Sequence, residues 1–141
     1  MKQLMLTCFV LLAGISGGAM AACAQPYLNA NAVNPLLTNN TVCSPANCTP
    51  ATCNWQEQHR AGGALWDYKK GASDLVDPTK QVGNWSVANN GKITHSYTGG
   101  GGSYTYDVKD NGANANPRYS FCGGPTEIFF SVKSGVSAGC P

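Results

Sequence analysis

The sequence predicts an all-β protein: a single antiparallel meander of about eight strands, closed or nearly closed into an up-and-down barrel and stabilised by disulfides. Three observations predict it. Residues 83–87, 92–98, 103–109, 118–122 and 126–133 alternate apolar with polar side chains, the period of a half-buried strand. Turn signals rich in Gly and Asn separate these runs. An even set of six cysteines follows the N-terminal leader.

Residues 1–22 read as a secretory signal peptide. Lys2 gives the positive start, residues 4–15 the apolar core, and Ala19 and Ala21 the small-x-small cleavage pattern. The apolar run falls short of the ~20 residues of a membrane span, so no transmembrane span is expected in the mature chain. That predicts an exported protein, periplasmic or extracellular. A second processing route gives an outer-membrane lipoprotein: residues 20–23 resemble a bacterial lipobox, which would place a lipid on Cys23. Met20 is a poor first residue for that motif, and acylating Cys23 would strand one thiol among Cys43, Cys48, Cys53, Cys122 and Cys140.

Residues 23–35 show no period and read as an extended lead-in to the barrel domain of residues 36–141. A first strand is expected at 36–43, where Thr41 and Val42 are β-branched. Pro45, Cys48, Pro50 and Cys53 make residues 44–54 an insertion loop, since two prolines in so short a stretch exclude helix and central strand. Runs at 55–59 and 64–69 flank Gly62 and Gly63 and predict a hairpin. Residues 70–81 are a polar loop with a turn at Asp77 and Pro78.

The meander then begins. Asn89, Asn90 and Gly91 tolerate positive φ and mark a tight turn. Residues 99–102 are four glycines, a link without the Lys-Ser/Thr or the following helix that a phosphate loop needs. Alternation places Trp85, Ile93, Tyr97, Tyr104, Tyr106, Val108, Phe121 and Phe130 on one face, and Ser86, Thr94, Ser96, Thr105 and Asp107 on the other. A sheet of eight sequential strands curls and closes because strands twist, and closure removes its edges. First and last strands then become neighbours. The expected bridges are Cys43–Cys140, which fastens the sheet's start to its end, Cys48–Cys53, a local staple, and the remaining pair Cys23–Cys122.

Several segments together resemble small exported proteins of proteobacteria, mostly of unassigned function. They are Leu37-x-x-Asn40-Thr41-x-Cys43, the Trp-Gln-Glu run at 55–57, residues 65–71 and 82–87, the Tyr-Thr-Tyr run at 104–106 and residues 119–122. The resemblance spans most of residues 36–140, carries no catalytic motif and implies a bacterial envelope or extracellular setting. The Gly-Asn-Trp step at 83–85 resembles the Gly-x-Trp of lipocalin-like barrels. There it lies on the first strand and here mid-chain, so ligand binding is not carried over.

Charged residues are 11% of the chain, against roughly 25% in ordinary domains, and the net charge is +2. The basic residues are scattered, which excludes an electrostatic nucleic-acid footprint. Glu57 and His59 sit two apart and share a strand face as half of a metal site, but they read as an exposed polar face; no metal and no cofactor is expected. Glu57 and Asp67 are the one facing carboxylate pair that a hydrolase would use. Trp55, Trp66, Trp85, Tyr97, Tyr104 and Tyr106 are the candidate ligand-facing aromatics, since Trp and Tyr join apolar area to a polar tip. The expected function is a non-catalytic barrel binding a small apolar or sugar ligand or a partner. The alternatives are a structural or surface-interaction protein with a fully packed core, and a hydrolase.

Overall fold

A computed structural model describes residues 23–69, 80–136 and Cys140. The expected signal peptide, and the polar loop except Lys80 and Gln81, lie outside the described residues.

The described residues form one helix, α1 (Ala30–Leu37), then eight strands: β1 (Asn40–Ser44), β2 (Trp55–His59), β3 (Ala64–Lys69), β4 (Lys80–Val87), β5 (Ile93–Tyr97), β6 (Gly102–Asp110), β7 (Tyr119–Gly123) and β8 (Thr126–Ser134). Each strand pairs antiparallel with the next, and β1 pairs with β8, so the barrel is closed. In that last pairing Val42 lies opposite Val132 and Cys43 opposite Ser131. The disulfides are Cys23–Cys122, Cys43–Cys140 and Cys48–Cys53, the expected set.

The helix corrects the expectation of an extended lead-in through residue 35 and a strand from 36. Asn29 caps it, its Oδ1 accepting from the amide of Ala32 at 3.1 Å. Val33 and Leu37, four apart, share one face and are fully buried. They join Val42, Leu65, Trp85, Ile93, Val108 and Phe130 in the apolar core. The short polar stretch around them hid this period, and only the barrel end supplies the surface that stabilises so short a helix.

Two glycines permit the close packing. A Cβ at Gly91, where φ is +87°, would lie 2.3 Å from the carbonyl oxygen of Leu28, so the lead-in crosses the β4–β5 turn only because that position is Gly. At Gly83 a Cβ would lie 2.1 Å from the Ser96 carbonyl oxygen on β5. The lead-in is held further by the Leu28 amide donating to the Val108 carbonyl at 2.7 Å.

Outward-facing polar residues of β1 and β2 are buried as well. Thr41 Oγ donates to the Gly135 carbonyl at 2.8 Å, and the Cys140 amide donates to Gln56 Oε1 at 2.6 Å. Gly135 and Cys140, beyond β8, therefore lie over the outside of these strands. Elsewhere the outer face carries the expected polar pairs, such as Thr94 with Thr105 at 2.8 Å and the ion pair of Lys92 with Asp107.

Candidate functional site

Along each strand the barrel interior changes character. At the α1 end it is filled by aliphatic side chains, Trp85 and Phe130. Toward the other end the inward residues become Trp55 and Glu57 on β2, Asp67 on β3, His95 and Tyr97 on β5, Tyr104 and Tyr106 on β6, Phe121 on β7 and Ile128 on β8. These line a cavity of about 600 Å³. Its rim adds Lys80, Gln81, Val82, Thr98 and Gly101. Val82 reaches it through a β-bulge: Leu65 pairs with Gly83 and Trp66 with Gln81, so Val82 has no partner on β3.

The polar floor is built by alternation. Trp55, Glu57 and His59 point inward from β2; Ile93, His95 and Tyr97 point inward from β5. These strands are not neighbours in the sheet, and their inward side chains meet across the lumen. His59 Nε2 and His95 Nε2 are hydrogen-bonded at 2.8 Å. Tyr97 donates its hydroxyl to Glu57 Oε1 at 2.5 Å. Donor atoms of Glu57, His59 and His95 all lie within 4.8 Å of one another. Trp85 and Phe121 stand edge-on to the imidazoles, at 5.2 Å from His59 and 5.4 Å from His95.

Burial governs the charges here. Glu57 is raised to about 7, because desolvation outweighs the Tyr97 hydrogen bond and the Asp67 charge adds to it. Glu57 and Asp67 are register partners on β2 and β3, so two carboxyl groups share this floor. Desolvation lowers His95 to about 4. His59 is held well below its ordinary value, first by burial and then by His95, against a weaker opposing contribution from the Glu57 backbone. The Tyr97 hydroxyl is raised by burial and by Glu57. At neutral pH the floor thus presents two uncharged imidazoles beside a carboxyl group near its midpoint. Such a set accepts hydrogen bonds, transfers protons or ligates a cation.

Four of the six candidate aromatics line this cavity: Trp55, Tyr97, Tyr104 and Tyr106. The other two do not. Trp85 is buried beneath the floor, where its Nε1 donates to the Arg60 carbonyl at 3.0 Å. Trp66 alternates to the outer face, with the Arg60 guanidinium 3.8 Å from its ring centroid. Glu57 and His59 are buried, at 6% and 0% exposure, which corrects their reading as an exposed face. Sequence reasoning missed the meeting of His95 with His59. The available signal was that His95 shares its parity with Ile93 and Tyr97. The glycine run is a turn, as expected, with Gly101 at the cavity rim. Comparison with protein-family models, with curated proteins and with solved structures finds no match.

Proposed function

We propose that the protein is an exported carrier or sensor of a small amphipathic molecule, held in the open half of the barrel. One observation carries the reading: about 600 Å³ of lumen is left unfilled between aromatic walls and a polar floor. That size suits a ligand with a planar apolar body. Trp55, Tyr106 and Phe121 offer ring faces to such a body, while Glu57 and His95 offer a hydrogen-bonding end point. The cavity counts against a fully packed structural barrel. Export is supported by the leader-like residues 1–22 and by three disulfides, which persist in oxidising compartments.

The test is titration with a neutral naphthylamine dye, read by dye emission and by energy transfer from Trp55. The expected result is saturable one-site binding that weakens at least about tenfold in Val82→Trp, whose indole occupies the cavity. Absence of saturable binding, or equal binding by that variant, overturns the reading.

A second reading has its own observation. Glu57, with its midpoint near 7, shares the floor with Asp67, so one carboxyl group can be protonated while the other is ionised. That is the arrangement of acid–base hydrolysis. Turnover of aryl glycosides that disappears in Glu57→Gln would select it over binding alone.

A further inference from the structure

We propose that Glu57, His59 and His95 form a binding site for one divalent transition-metal ion, with its remaining coordination positions open to the cavity.

The donor set is the first ground. Two imidazoles and one carboxylate around a single point suit zinc, copper or iron among the divalent ions; hard oxygen-seeking cations prefer all-oxygen shells. The spacing is the second. Donors around a tetrahedral ion at about 2.0–2.1 Å lie about 3.4 Å apart. The two Nε2 atoms are 2.8 Å apart, and all three donors lie within 4.8 Å of one another. Opening the imidazole pair by about half an ångström, through small ring rotations, admits an ion at that bond length.

The surroundings favour a cation over the bare pair. Without an ion, the two buried imidazoles share one hydrogen bond. Once the shared proton moves from its Nε2 to Nδ1 of the same ring, both Nε2 lone pairs face one point and an ion there converts the single contact into two metal bonds. Glu57 supplies one negative charge, and Asp67 beside it supplies another to offset a dication in this desolvated place. Tyr97 fixes the Glu57 carboxylate by its hydroxyl, the outer-sphere support that oriented metal ligands usually have.

Position decides the role. Glu57 and His95 line the cavity, whereas His59 lies beneath them against Trp85. The protein therefore ligates the ion from below and from the sides, and the vacant positions point at whatever occupies the lumen. Three protein ligands with a vacancy describe a site for a coordinating ligand rather than a structural ion. This deepens the proposed function, because a molecule with a donor atom at its polar end would bind metal and aromatic wall together. The ion itself needs only the floor.

The experiment uses the full mature chain, untagged, stripped with EDTA and dialysed. Zinc titration by calorimetry at pH 7.5 is expected to show one site. Cobalt(II) is expected to give a visible d–d spectrum and paramagnetically shifted imidazole protons from two histidines. Glu57→Gln and His95→Gln should each weaken zinc binding about 100-fold or more while the circular dichroism of the fold persists. If the variants fail to fold, the two-histidine cobalt signature in the wild-type protein decides alone. Absence of zinc binding at millimolar concentration overturns the proposal. So does binding that both folded variants retain, or a cobalt spectrum without shifted histidine protons. The naphthylamine titration of the metal-free protein reads the cavity separately, so the two proposals can fail independently.

Discussion

At the residue scale the floor of the lumen holds groups whose protonation acts on folding in opposite directions. His59 and His95 bind protons less readily folded than unfolded, where their ordinary value is 6.5. Stability they contribute is present above about 6.5 and lost as the pH falls toward the folded value, about 4 for His95. Glu57 behaves the other way. Its folded value is about 7 against 4.5, so its contribution is present below 4.5 and lost as the pH rises through 7. Between about 6.5 and 4.5 the unfolded chain binds up to two protons here and the folded one binds a single proton. The metal-free protein should therefore lose up to about 1.4 kcal/mol per pH unit on acidification across that window. Glu57→Gln removes the compensating proton and should about double that slope. Denaturant midpoints measured from pH 7 to 4.5 check it; equal slopes for the two proteins would refute the assignment.

At the element scale the strands owe their places to what their neighbours leave room for. The β4–β5 pair is the tightest case. Gly83 faces Tyr97 in register, and the Ser96 carbonyl occupies the space of a side chain at 83. Any Cβ there must displace backbone in the middle of a ladder. Gly83→Ala should cost about 2–3 kcal/mol in denaturant unfolding; a change under about 0.5 kcal/mol would mean that the two strands separate freely. Helix α1 depends on the barrel in the same sense. Its eight residues are too few to persist alone, so its order follows from Val33 and Leu37 entering the core.

At the scale of the whole molecule the disulfides join places that are distant in sequence. Cys43–Cys140 spans 97 positions and ties a residue beyond β8 to β1, whereas Cys48–Cys53 spans five within one loop. Because Cys23–Cys122 overlaps the longer bridge, breaking Cys43–Cys140 releases an effective loop of about 40 residues. Chain entropy then gives it about 4 kcal/mol against about 2 kcal/mol for the short staple. The double variant Cys43→Ala/Cys140→Ala should accordingly unfold at distinctly lower denaturant than Cys48→Ala/Cys53→Ala. Reversal of that order would show that the loop staple, not the long-range bridge, fastens the barrel.

Much of this architecture was legible in the residues. Alternation from 83 to 133 and the turn residues between runs specify antiparallel strands in sequential order. Closure is expected from their number and makes the first and last strands neighbours, which points to Cys43–Cys140; Cys48–Cys53 rests on nearness in sequence, and Cys23–Cys122 is the pair that remains. Strand parity also placed Tyr97, Tyr104 and Tyr106 on the inner face. It could not say which inward residues pack and which line a cavity. Trp85 lies at the filled end and Trp55 at the open end, and that difference depends on where α1 enters the barrel. Nor does periodicity relate strands across a lumen. His59 and His95 are 36 residues apart on strands that share no ladder, and only barrel curvature brings their Nε2 atoms to 2.8 Å. The sequence by itself determined strands and their order, since these rest on local period and on neighbour pairing. Tertiary structure alone decided the floor of Glu57, His59 and His95, because contact across a closed sheet depends on its radius and on what fills it.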